Sequence, residues 1–354
     1  MSKRPVIGIP FNYDESWIGG TYYIKNLVSA LGLIDAKRRP DVWVISHSEK
    51  SFEFIKNTTG YSRLNWIRPE LISGADGGIS RKARLLSWLV PGFKKKKVSF
   101  DVIFPYPIDS KLQQTVCWIP DFQDKRLPEF FSEAELTVVQ FATFEPPVLS
   151  DDQAEVLSRY ELPERYFYCP NQFWIHKNHK LVIEAVYQLK QQGISVVVAF
   201  SGKEHDHRAP DHTQQLKDLV ARYDLTENIR FLGFIPRADQ MVVFQRATCV
   251  LQPSLFEGWS TVIEDAKSLS QYVLAADIPA NVEQTKDNIE FFNPREATEL
   301  AGLLKKYASI DPLRVPVDYS AFQRQFAESF MGVVAAVMAN SAAAPGESSE
   351  RGRN

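Results

Sequence analysis

The chain has 354 residues, more than one hydrophobic core usually organises, which suits two domains. Hydrophobic residues make up 44% and charged residues 24%, the balance of a soluble globular protein, and a formal net charge of −2 argues against a general nucleic-acid binder. Cys117, Cys169 and Cys249 are too few and too scattered for a disulfide framework or a zinc site, and no stretch reads as a signal peptide or a bilayer span, so a reducing, cytoplasmic setting is expected.

The apolar run 6–9 predicts a buried first strand, followed by a polar loop carrying Gly19 and Gly20. Tyr23, Leu27, Ala30, Leu31 and Ile34 then recur at helical spacing. Further strands are predicted over 41–46, 101–105 and 114–119, the last ending in Asp121 and Asp124. The basic run 94–97 reads as a solvated loop, or as a contact with an anionic membrane surface or a lipid-linked acceptor.

A second series begins near residue 165. Strands are predicted over 165–169, 196–201, 229–232, 249–252 and 272–275, with helices over 180–191, 212–223 and 237–246 between them. Cys169 and Cys249 lie in these apolar runs and are expected to be buried. Alternating βα elements with short connections imply parallel sheets covered on both faces. The predicted organisation is an N-terminal Rossmann-like domain over 1–145, a linker over 146–163 and a second domain over 164–318. A helix over 319–340, apolar at Phe322, Phe326, Phe330, Val333, Val334 and Val337, is expected to cross back to the first domain, ahead of a disordered tail over 341–354.

The stretch 253–270 carries the most chemistry. Glu257-Gly258-Trp259-Ser260-Thr261 precedes a predicted helix bearing Glu264 and Asp265. A helix start presents unpaired N–H groups and a partial positive charge, and so can hold a phosphate. Glu257 and Asp265, eight residues apart, would stand slightly over two helical turns apart and reach a ligand at two levels.

Three motifs, the segments 118–131 (WIPDFQDKRLPEFF), 172–179 (QFWIHKNH) and 257–267 (EGWSTVIEDAK), together with the glycine pair, resemble family 4 retaining glycosyltransferases of GT-B fold. The resemblance implies an α/β architecture of two Rossmann-like domains with parallel sheets facing a central cleft. It implies transfer of a sugar from a nucleotide diphosphate sugar to an acceptor hydroxyl with retention, in glycan or polysaccharide assembly, on a glycan or lipid-linked acceptor. Neither a metal nor a further cofactor is implied, because basic side chains and helix starts meet the charge of the leaving diphosphate.

Residue by residue, Glu257 matches the acid near the donor sugar, and Asp265 matches the acid that holds the ribose hydroxyls, one methylene shorter than the glutamate usual there. Lys177 matches the phosphate-binding lysine, while Asn171 and Gln172 stand where an arginine is common. Gly258, Trp259, Ser260, Thr261 and Lys203 fall along the donor site, the segment 234–236 along the base, and Gly19 and Gly20 in the first-domain loop. Asp124 stands where a histidine is frequent, so that an acceptor replaces a donor in contact with the sugar. His176 and His179 have no metal-binding partners in sequence, so packing or polar support is expected of them.

Between domains the chain is shorter than the resemblance implies. Residues 133–136 run almost directly into 137–140 and Pro146-Pro147, with no room for the ~30 residues of a βα unit. This predicts an internal deletion that truncates the first domain. An epimerase or phosphorylase of the same fold, and a nucleotide-sugar binder without activity, are the alternative readings.

Overall fold

The structure is a computed structural model that describes residues 3–14, 18–72, 98–105, 116, 139–144, 153–206 and 208–343. The chain forms two compact units. The described residues up to 116, the segment 139–144 and the chain from Ser320 onward make the first, and residues 153–319 make the second. The basic run 94–97, Cys117, Asp121, Asp124, the motif 118–131 and the inferred shortening before Pro147 lie outside the described residues.

The first unit is built on a parallel sheet of order β3-β2-β1-β4, from β1 (Val6–Pro10), β2 (Asp41–Ile45), β3 (Leu64–Ile67) and β4 (Val102–Ile103). Helix α1 (Ile18–Leu31) buries Tyr23, Ile24, Leu27, Val28 and Leu31, the face its apolar spacing predicts. Gly19 and Gly20, expected in a loop, instead open this helix. The first turn tolerates them because its N–H groups lack intrahelical partners whatever the side chain. Helix α2 (Glu49–Thr59) and β3 were not predicted from sequence. Gly60 stops α2 in the left-handed conformation at φ 60°, its N–H bonding to the carbonyl of Lys56 at 3.1 Å. The long C-terminal helix α10 (Tyr319–Ala343) lays Phe326 and Phe330 into this unit, with Phe326 against Tyr23 and Phe330 against Phe104 at ring separations of 5.9 and 5.1 Å.

The second unit holds a six-stranded parallel sheet of order β10-β9-β8-β5-β6-β7. Its strands are β5 (Phe167–Cys169), β6 (Val198–Phe200), β7 (Ile229–Phe231), β8 (Cys249–Gln252), β9 (Val273–Ala276) and β10 (Ile289–Phe292). The inner strands β5, β8 and β9 are buried at every residue, as short apolar runs covered on both faces must be. Helices α4 (His179–Gln191), α5 (His212–Arg222), α6 (Arg237–Arg246) and α7 (Thr261–Ser268) follow β5, β6, β7 and β8 in turn. Helix α8 (Pro279–Gln284), β10 and α9 (Ala297–Tyr307) extend the alternation past the last predicted strand. Within the stretch read as linker, Gln153–Arg159 forms helix α3, which ties to α6 through Arg159 and Asp239 at 2.8 Å. Cys169 and Cys249 are buried free thiols, each pushed up to about 12 by burial. Among the described residues no helix is long and apolar enough to cross a membrane.

The order of this sheet sets its chemistry. From β5 the chain builds outward through β6 and β7, then returns to the other side of β5 for β8 and builds outward through β9 and β10. Loops leaving β5 and β8 therefore diverge around a topological switch point, where open α/β sheets bind ligands.

Candidate active site

The loop after β5 carries Lys177 and the loop after β8 carries Glu257. Lys177 Nζ lies 2.5 Å from Glu257 Oε1, and both side chains are largely buried, at 13% and 10% exposure. The loops are joined along their backbones as well. The N–H of Leu255 donates to the carbonyl of His176 at 2.8 Å, and Asn178 Nδ2 donates to the carbonyls of Pro253 and Pro294 at 3.1 and 2.9 Å. Asn178 does this from the left-handed region, at φ 59°, closing the one-turn 3-10 helix Ile175–Lys177 and leading into α4.

Gln252, the last residue of β8, is fully buried and organises the floor. Its Nε2 donates to Glu257 Oε1 at 2.8 Å and to Ser260 Oγ at 2.9 Å, while its Oε1 accepts from Asn171 Nδ2 at 2.9 Å. Sequence reasoning missed it. The available signal was a polar residue closing an otherwise apolar strand, since a buried amide must be satisfied on both ends.

Ser260 is the N-cap of α7, its Oγ accepting from the N–H of Ile263 at 3.3 Å. The N–H groups of Thr261 and Val262 have no hydrogen-bond partner among the described residues, so the helix start keeps two donors for an anion. Gly258 and Trp259 are half-buried and Thr261 is exposed beside them. Glu257 lies three residues before the N-cap, off the helix, so the expected two-turn spacing of the acids does not hold; the loop closed by Ser260 keeps Glu257 beside Lys177 instead.

Asp265, on α7, is 5% exposed and pairs with Arg237 NH2 at 2.7 Å. Arg237 opens α6 behind Pro236 and also donates to Gln240 at 2.7 Å. This arginine is a second residue absent from the sequence-based reading, because nothing local to residue 237 points 28 positions ahead. Phe234, in the segment expected beside a base, is 61% exposed.

The loop after β6 borders the same loops. Gly202 adopts φ 152°, and a Cβ there would stand 2.4 Å from the carbonyl oxygen of Asn171, so only glycine permits this approach. The carbonyl of Lys203 accepts from the N–H of Phe173 at 3.2 Å, and its half-buried side chain has no ion pair among the described residues. Arg208 grips the buried Asp206 at 2.9 and 3.2 Å and stacks over Trp174, 5.1 Å from the ring centre. His176 lies beside this group, its pKa lowered first by burial and then by the charge of Lys177. His179 is fully buried, stacked on Phe173 at 4.5 Å, and pushed down to about 3 by burial and then by His212. It packs, as expected of a histidine without ligand partners. Among the described residues no group of three His, Cys, Asp or Glu side chains is placed to hold a metal ion.

The structure thus brings Lys177 to Glu257 and sets Gly258, Trp259, Ser260 and Thr261 in the loop and helix start that follow, while Asp265, farther along α7, faces Arg237. Gly19 and Gly20 belong to the first unit, and Asp124 lies outside the described residues.

Residues 157–324 match the family described as Glycosyl transferases group 1. The structure is similar to a glycosyltransferase from Rickettsia africae at 14% identity and a TM-score of 0.60, covering 97% of both chains. It is similar to Anabaena HepE, solved in complex with UDP and glucose, at 14% identity and a TM-score of 0.59, covering 96% of this chain and 98% of that one. A sucrose-phosphate synthase from Thermosynechococcus elongatus matches at 15% identity and a TM-score of 0.52, covering 96% and 98%. The chain has the GT-B fold that these structures share, with two Rossmann-like parallel sheets, and its residues 157–324 carry the group 1 glycosyltransferase match.

Proposed function

We propose that the protein transfers a sugar from a nucleotide diphosphate sugar to an acceptor hydroxyl, with retention at the anomeric carbon and without a bound metal. The observation that carries this reading is the convergence of Lys177, Glu257 and the open start of α7 at the switch point of the second sheet. Lys177 and the N–H groups of Thr261 and Val262 would meet the diphosphate, which gains negative charge as the sugar leaves. Glu257 would lie against the donor sugar, and Asp265, steadied by Arg237, would accept from the ribose hydroxyls. Lys203 and Trp259 would add contacts to the donor, and Asp124, Gly19 and Gly20 are the residues through which the first domain would take part in the reaction. The group 1 match over residues 157–324 supports a glycosyltransferase, and the UDP and glucose bound by the Anabaena relative support a nucleotide sugar as partner. A glycan or lipid-linked acceptor and a cytoplasmic setting, with contact at the membrane surface through the 94–97 run, complete the reading.

The test is incubation with a panel of UDP-, GDP-, ADP- and dTDP-sugars, following release of the nucleoside diphosphate. Release from one class supports transferase chemistry; no binding and no release from any donor overturns it. A second reading, nucleotide-sugar binding without turnover, is favoured by one observation: Lys177 and Asp265, the two groups that would greet the donor, already hold partners in Glu257 and Arg237. Calorimetric binding of a nucleoside diphosphate with no transfer to any acceptor selects that reading.

A further inference from the structure

Glu264, the neighbour of Asp265, is 1% exposed, yet donors from four places in the second unit converge on its two oxygens. Trp259 Nε1, Lys267 Nζ and Gln284 Nε2 reach Oε1 at 3.2, 2.9 and 2.9 Å, and the hydroxyl of Tyr319 reaches Oε2 at 2.5 Å. A carboxylate taken out of water needs this many partners. What distinguishes the cluster is where its members lead.

Gln284 turns the rest of its amide to Ser260. Its Oε1 accepts from the N–H of Ser260 at 2.9 Å and its Nε2 donates to the carbonyl of Ser260 at 2.7 Å. An ionised carboxylate only accepts, so Glu264 dictates which end of the Gln284 amide faces it, and therefore which end faces each backbone atom of Ser260. Ser260 is the N-cap of α7, and Trp259 stands in the loop between it and Glu257. Tyr319 is the last residue of the second unit before the chain passes into the first. The strand of chain that delivers it is fastened down: Arg314 donates to the carbonyls of Ala247 and Thr248 at 2.9 and 3.1 Å, Val315 N–H to Asn288 Oδ1 at 2.7 Å, and Val317 N–H to Ser270 Oγ at 2.9 Å.

We infer that Glu264 is a positioning residue for the donor site: anchored by Tyr319, it sets the N-cap of α7 through Gln284 and Trp259, so that the free N–H groups of Thr261 and Val262 point at the diphosphate. The inference rests on the donor-site reading above.

The experiment compares wild-type protein, Tyr319→Phe, Glu264→Gln and the double variant by calorimetry with UDP, ADP, GDP and dTDP, alongside Tm and, where a donor is turned over, KM and kcat. Tyr319→Phe removes one hydroxyl. The diphosphate that the wild type binds is expected to bind this variant about three- to tenfold more weakly. Donor KM rises with it while kcat stays within about twofold, and adding Tyr319→Phe to Glu264→Gln brings no further loss of affinity, because both act through one carboxylate. An unchanged Kd with a lower Tm makes the cluster purely structural and overturns the inference, as do additive losses in the double variant. If Tyr319→Phe does not fold, Glu264→Gln alone decides by the same Kd criterion, since its amide lets Gln284 reverse. If wild-type protein binds none of the four diphosphates, the donor-site reading itself fails.

Discussion

Lys177 and Glu257, 80 positions apart in the chain, meet at 2.5 Å with little solvent between them. Each is the other's counter-ion, so neither can be removed silently. Lys177→Met is expected to weaken nucleoside diphosphate binding by about ten- to a hundredfold, the worth of a charge-assisted hydrogen bond, measured by calorimetry. Glu257→Gln keeps the contact with Gln252 and is expected to lower kcat by about a hundredfold or more while the protein still binds the diphosphate. Glu257→Ala additionally leaves Lys177 without this counter-ion and takes one of two acceptors from Gln252 Nε2, and should cost about 1–3 kcal/mol in chemical denaturation.

Asp265 shares its carboxylate with Arg237, and the predicted use of that carboxylate is recognition of ribose. Asp265→Ala is expected to erase most of the preference for a nucleoside diphosphate over its 2′,3′-dideoxy analogue, by calorimetric competition. Arg237→Gln should erode the same preference less, since it removes one partner of the carboxylate without deleting the carboxylate itself. Equal preference in wild type and Asp265→Ala would place ribose recognition elsewhere.

His179 ties stability to pH. Its folded pKa is about 3, against 6.5 for an exposed imidazole, chiefly through burial and then through His212. The unfolded chain therefore takes up the proton first. The stabilising contribution is complete above pH 6.5 and is lost as pH falls towards 3, at about 1.4 kcal/mol per pH unit for one proton. His179→Phe keeps a ring against Phe173 and Phe200 and removes the titration. Urea unfolding at pH 6.5, 5.5 and 4.5 should show a shallower decline for the variant than for the wild type.

Asn178 separates backbone from side-chain effects. It adopts φ 59° and donates to Pro253 and Pro294. Asn178→Gly keeps the backbone geometry and loses the bonds, at about 1 kcal/mol. Asn178→Ala loses the bonds and adds left-handed strain of about 1–2 kcal/mol, so its Tm should be the lower of the two.

Much of this was legible in sequence because it was local. The runs that became β1, β5, β8 and β9 are short, apolar and buried, and the helical spacing of Tyr23 and Leu27 named the covered face of α1. Lys177, Glu257 and the N-cap could be proposed from motif and helix-start chemistry. The groups that steady them could not. Gln252, Arg237, Gln284 and Tyr319 each arrive from a different element, and periodicity within one segment carries no information about which loop end it will face. Gly19 and Gly20 misled for the opposite reason: glycine reads as loop punctuation, but a helix's first turn, already lacking backbone partners, accepts it at little cost.

The backbone bond from Leu255 N–H to the carbonyl of His176 makes one amide proton a gauge of the whole arrangement. Leu255 is exposed, so without that bond its proton would trade with solvent at the speed of a free loop. Its exchange is slowed only while the Lys177 loop and the Glu257 loop are seated against each other. A single resonance therefore reports whether two distant stretches of sequence are engaged, in the resting protein and as a ligand arrives.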